Sequence, residues 1–186
     1  MNTHRNEILG VLLATLALFL TASFLTYDPT ESPGGLSTEI ASGNIMGIFG
    51  IYASYYLMKF TLGWGTFMLP MILGLLSYVS FTRKDFRDYL RISFYIIAFA
   101  LWFSILIAHV GIVQNAWWQA EFGGYVGYVL AFFLRDMVGI YAFSFLMAVS
   151  IILLFSSIFR LSLYDTLLKL LNALTSKWVA FQEKRR

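Results

Sequence analysis

Apolar runs alternate with short polar stretches along this chain, and their lengths are those of membrane crossings. A helix needs about 20 apolar residues to cross a bilayer. Residues 8–25, 60–81, 92–113 and 137–159 meet that length closely enough to be read as four spans. The first, Ile8 to Leu25, measures about 27 Å as a helix. Pro29, Pro33 and Gly34-Gly35 then break the chain into a loop, Thr26 to Ser42. Next comes an apolar segment too short to cross, residues 44–58. Gly43, Gly47, Gly50 and Ser54 recur through it at the spacing of one helical face. The pattern predicts a short glycine-faced helix at one membrane surface that runs into the second span. Lys59 marks the join, its ammonium reaching the headgroups. Pro70, inside the second span, predicts a kink.

A second segment of this kind precedes the fourth span. Gly123 and Gly127 match Gly43 and Gly47 at one offset. Arg135, Gly139, Phe143 and Met147 match Lys59, Gly63, Phe67 and Met71 at another. The pattern predicts a two-fold internal repeat, with a second short helix over 123–134. Arg135 is then the counterpart of Lys59. The glycines of both segments let helices approach closely. They serve either packing within the chain or a contact between subunits.

Composition places the chain in lipid. It is 59% hydrophobic and 12% charged, against about 25% charged in soluble domains. It has no cysteine, which excludes disulfides and cysteine-based metal sites. Arg5 before an apolar run resembles a signal peptide, but no small-residue cleavage site follows, so the run reads as an uncleaved first span. Of the 13 Lys and Arg residues, all but Lys59 and Arg135 fall on one side of a four-span topology. The densest groups are Thr82–Arg91 and the tail. That side is cytoplasmic and holds both termini. The glycine segments and the acidic loop with Asp28, Glu31 and Glu39 lie on the other face. Trp117 and Trp118, in the loop before the second glycine segment, suit a headgroup belt.

The tail, 161–186, predicts an amphipathic helix. Leu163, Tyr164, Leu167, Leu168, Leu171, Leu174, Trp178 and Phe181 share one face. It suits the membrane plane or a partner chain, and the stop after Glu183-Lys184-Arg185-Arg186 reads as the edge of something longer. Its spread cations suit anionic lipid better than DNA.

No catalytic constellation appears, neither G-x-x-x-x-G-K-[ST] nor H-E-x-x-H. No site for a metal or cofactor is expected. His109, near the outer end of the third span, reads as an interfacial histidine bonded to backbone or headgroup. Arg135-Asp136 reads as a local ion pair rather than a proton or ion site. No Asp, Glu, Lys or Arg stands at mid-depth in a span, which counts against a pump or coupled transporter.

Several short elements together resemble the N-terminal four-helix membrane region of the FtsK/SpoIIIE family of DNA translocases. The first span ends in Ser23-Phe24-Leu25-Thr26-Tyr27 and continues into Asp28-Pro29-Thr30-Glu31-Ser32-Pro33. This is similar to the family's serine-aromatic stretch leading into Asp-Pro-Ser, with Glu31 in place of the usual Asp and the Pro-Ser order reversed. Gly43-Asn44-Ile45-x-Gly47-x-x-Gly50, then Gly63, Phe67 and Pro70, and later Gly123-Gly124-x-x-Gly127 complete the likeness. The resemblance implies an all-α integral protein of the bacterial inner membrane, with glycine-bearing helices on the periplasmic side and a cytoplasmic amphipathic helix. It implies the anchor and assembly domain of a septum-located, ATP-driven DNA pump acting in cell division and chromosome segregation. A homo-oligomer in the lipid bilayer, with cell-division partners, is expected. Catalysis, and all contact with DNA, would belong to a motor beyond Arg186. The competing reading is a free-standing four-span transporter or channel, invited by the repeated halves and interrupted segments. An intramembrane enzyme has no nucleophile–base pair to support it.

Overall fold

A computed structural model describes residues 3–35, 43–82 and 86–159. All regular structure among them is helical. Four helical stretches are long and apolar enough to cross a membrane: His4–Leu25, Gly47–Thr82, Tyr89–Val113 and Ile140–Ile158. Such a chain must satisfy its backbone within each segment, because lipid offers no hydrogen bonds. Arg83, Lys84 and the expected amphipathic helix over 161–186 lie outside the described residues, as does Glu39.

Helix α1, Thr3–Leu25, is mostly apolar past its polar first residues, and Leu12, Leu16 and Leu18 are left exposed as a lipid-facing side. Helix α2, Gly47–Ser54, passes directly into a π-helical turn, Tyr55–Leu62. A 3₁₀ turn, Gly63–Phe67, leads into α3, Met68–Thr82. Helices α1 and α3 pack antiparallel. The Ser77 hydroxyl donates to the Gly10 carbonyl at 2.7 Å, and the Phe81 ring lies against Gly10. At the other end Phe24 meets Phe67 edge-on, ring centres 5.5 Å apart. Met58 joins Leu20 and Phe24 there in a small buried core. Since lipid tails are as apolar as these side chains, close van der Waals fit rather than escape from water holds the pair together.

The register of the second segment differs from the sequence reading. The first glycine helix starts at Gly47, not at residue 44, so Gly43 precedes it and the two do not share a helical face. The break falls after Lys59, where Thr61 leaves helical geometry (φ −112°, ψ −110°) and Gly63 takes φ +56°. Pro70 makes no mid-span kink. It is the third residue of α3, in the first turn, where a missing N–H costs little.

Helix α4, Phe86–Val113, carries Ala100, Ser104 and Ala108 one turn apart, all buried. A turn through Asn115 leads to α5, Gln119–Val138, which bends at Gly124. Gly139 separates α5 from α6, Ile140–Phe159. The second join therefore lies at Gly139, beyond Arg135-Asp136. The N-terminal part of α5 packs on α4 through glycine. A Cβ at Gly123 would stand 2.7 Å from that of Ala108, and one at Gly127 2.8 Å from the backbone of Ser104. Helix α5 then departs from α4. Ser144 reaches His109, near the end of α4, yet stands only five residues past Gly139. The 14 steps from Gly124 to Val138 rise about 21 Å as helix. Had they descended along α4, Ser144 could not return to His109, so α5 crosses α4 instead.

The chain divides into two compact units, Met1–Ser144 and Phe145–Arg186. The described part of the second is the apolar remainder of α6, where the Ser150 hydroxyl returns to the Met147 carbonyl at 2.9 Å.

Candidate functional site

The chemistry of the first unit gathers where the two interrupted segments meet. Gly63 and Gly124 both hold left-handed backbone conformations, with φ of +56° and +68°. Each breaks its helix, and the breaks touch. A Cβ on Gly63 would collide with the Phe122 carbonyl and the Gly124 nitrogen. One on Gly124 would collide with the Gly63 nitrogen and the Thr61 carbonyl. Two backbones come this close only where neither residue carries a side chain, and a side chain would also resist these φ values.

A polar cluster sits beside this crossing. The Lys59 ammonium lies 2.9 Å from Glu121 Oε1 and over the Tyr55 ring at 5.2 Å. The Tyr27 hydroxyl donates to Glu121 Oε2 at 3.3 Å. Glu121 stands in the first turn of α5, where the helix dipole favours a negative charge. Burial, then the Glu121 carboxylate, pushes the Tyr27 phenol well above the ordinary tyrosine range. One carboxylate thus joins the loop after α1, the π-helical turn and α5. Lys59, the cation expected to mark the join, is ion-paired within the chain.

Asn44 forms a second junction. It is 3% exposed. Its amide donates to the Ser23 carbonyl at 2.9 Å, one of the orphan carbonyls that end α1. Its Oδ1 accepts from the Met46 N–H at 3.0 Å, shaping the turn into α2. Gly50 packs directly on this side chain. The Gly43 N–H donates to Glu31 Oε1 at 2.8 Å, tying the outer loop to the same turn. The adjacent Asp28 accepts from the Thr30 hydroxyl and N–H, which hold its carboxyl below the usual range.

The candidate glycines take different places. Gly50, Gly123 and Gly127 are buried against neighbouring residues, Gly43 is exposed, and Gly47 has open space around its α-carbon. Ser104 adds a hydroxyl donated to the Gly123 carbonyl at 2.6 Å. His109 is buried within the protein and meets a side-chain hydroxyl, not a backbone group. It is 5% exposed, its Nε2 is 2.9 Å from the Ser144 hydroxyl, and its ring stands edge-on to Phe143. Among the described residues no ion pair joins Arg135 to Asp136, contrary to expectation. Nor does any group of His, Asp and Glu there have a geometry fit for a metal ion.

Sequence reasoning missed Glu121 and Ser104, and it named Tyr27 and Asn44 only within the family-like stretches, without a role. For Glu121 a signal was present: it is the only acidic residue between the third span and Arg135.

The family profile described as the 4TM region of DNA translocase FtsK/SpoIIIE matches residues 2–171. In the comparisons with curated proteins and with solved structures, nothing matches.

Proposed function

The chain belongs to the family of the 4TM region of DNA translocase FtsK/SpoIIIE, and from that premise we propose that it is the membrane anchor and assembly domain of a septum-located, ATP-driven DNA translocase. The observation that carries this reading is the family match, which extends over all four candidate spans. In this reading both termini are cytoplasmic and the glycine-bearing segments lie on the periplasmic side of the inner membrane. The domain is a homo-oligomer in contact with cell-division proteins. ATP and DNA are handled by a separate motor, and this stretch needs no cofactor.

The repeat belongs to the same proposal, in a corrected register. Gly47-x-x-Gly50 and Gly124-x-x-Gly127 each open a segment, and Lys59-x-x-x-Gly63 and Arg135-x-x-x-Gly139 each close one. Support comes from the backbone: Gly47, Gly63, Gly124 and Gly139 are the four glycines with positive φ among the described residues. Gly47 thus pairs with Gly124 rather than Gly127. The stretch from Gly50 to Lys59 is one residue longer than that from Gly127 to Arg135. A π-helical turn takes up an extra residue, and one lies there, at Tyr55–Leu62. Asn44 and Glu121 then hold equivalent places, each three residues before its glycine.

A fluorescent fusion to the complete protein in dividing cells tests the anchor. Accumulation at the septum is expected, and uniform labelling of the cell perimeter would overturn it. The contact of the two broken segments favours one other reading, a transporter built on discontinuous helices. Reconstituted vesicles separate the two. The anchor reading expects no ion or proton flux above that of empty vesicles, whereas flux abolished by Glu121→Gln would establish the transporter.

A further inference from the structure

The break in the second segment leaves a niche beside it. It has a volume of about 320 Å³ and is lined by Leu57, Thr61, Leu62, Met68, Leu69 and Ile97, with Gly65 and Ala100 at its floor. The cause is local. At Gly65 the backbone lies directly on the Ala100 carbonyl of α4. Gly65 brings no side chain there, so the larger residues on either side stand around a gap. Its two side-chain hydroxyls are already bonded. The Thr61 and Thr66 hydroxyls face one another at 3.0 Å and both donate to the Leu57 carbonyl. No charged residue lines it. Ile97, at its rim, is 52% exposed.

We infer that this niche holds one phospholipid acyl chain, seated against the break in the second membrane-spanning segment. The occupant must be apolar, since the lining carries no charge and its two hydroxyls are already bonded, and burying a polar group without a partner is costly. It must be thin. An α-helix with side chains is about 10–12 Å across, too wide for this volume, whereas a flexible chain fits. The surrounding solvent is itself acyl chain, supplied at the highest concentration of any candidate. An empty gap would deprive its lining of contact on one side, and a chain restores it. The niche is thereby a place where a lipid supports an irregular, glycine-containing turn that protein side chains leave unfilled. The inference needs only that the spans sit in a bilayer. It does not depend on septal localisation.

The complete protein in vesicles of phosphatidylethanolamine and phosphatidylglycerol, doped with a phosphatidylethanolamine carrying a diazirine in mid-chain, provides the test. After irradiation, peptide mass spectrometry compares adducts at Leu57, Leu62, Met68 and Ile97 with those at Leu12 and Leu16 on the exposed side of α1. Several-fold enrichment at the niche is expected. Ile97→Trp, which fills the rim, should lower those adducts several-fold and leave α1 labelling unchanged. Leu62→Ala, which widens the niche, should raise them, and it decides the matter alone if the Trp variant does not fold. Labelling no stronger at the niche than on α1, or insensitive to the folded variants, overturns the inference. So does cross-linking between protein copies at the niche in place of lipid adducts.

Discussion

Glu121 holds the centre of the polar cluster, because its two oxygens serve two partners from different parts of the chain. Glu121→Gln leaves the half-buried Lys59 without its anion. An exposed pair is worth about 0–1 kcal/mol and breaking a buried one costs several. With side-chain exposures of 34% and 21%, this pair lies between, and a loss of about 1–2 kcal/mol is expected in denaturant unfolding in detergent. A double-mutant cycle with Lys59→Met should recover most of that as coupling. Tyr27 gives a pH test. Its folded pKa is raised, so folded protein keeps the phenol protonated where unfolded chain has lost the proton. This contribution to stability is whole below the ordinary value of about 10 and is lost as pH rises above it. The phenolate absorbance removed by Tyr27→Phe should accordingly appear only well above pH ~10 in the folded protein. Asn44→Ala strips the end of α1 and the turn into α2 together, with an expected cost of about 1–3 kcal/mol by the same unfolding measurement.

The glycines acquire different weights once their elements are known. Gly124→Ala faces both a left-handed backbone and a collision with Gly63. It should cost about 3 kcal/mol or more, or prevent folding. Gly47→Ala meets the same backbone strain in open space, so about 1 kcal/mol is expected. Gly34→Ala has neither penalty and should be silent. Thermal melts of the three variants in one detergent check that order, and equal effects at Gly47 and Gly124 would refute the crossing of the two breaks. The elements also show how lipid alters packing. Ser104 and Ala108 present small side chains to Gly127 and Gly123, and that close approach lets the Ser104 hydroxyl reach a backbone carbonyl.

For the whole molecule, the proposed topology makes a direct prediction. Reporter fusions in the loop after α1 and in the turn at Asn115 should be active only outside the cytoplasm, and a fusion between α3 and α4 only inside. A reporter active on the wrong side at any of the three would reverse the placement of the glycine segments. Under the proposed topology the Lys59–Glu121 pair would lie at the outer surface, where water would moderate its cost.

Length and apolarity determined the four candidate spans from sequence alone, since a backbone in lipid has few forms available besides helix. The two glycine segments were also legible, through small residues at helical spacing and a single cation near each end. Their exact bounds were not. Gly43 and Gly47 keep helical spacing without sharing a helix, because spacing cannot report a positive φ. Pro70 looked like the breaker, but a proline in a first turn breaks nothing, and the glycine at position 63 does. Tertiary structure alone decided that Lys59 meets Glu121, that Gly63 meets Gly124, and that His109 turns to Ser144. These partners lie far apart in a chain where nearly every helical face is apolar. Where hydrophobicity does not mark one face as inside, only the fit of side chains and the few polar groups seeking partners can choose which faces meet.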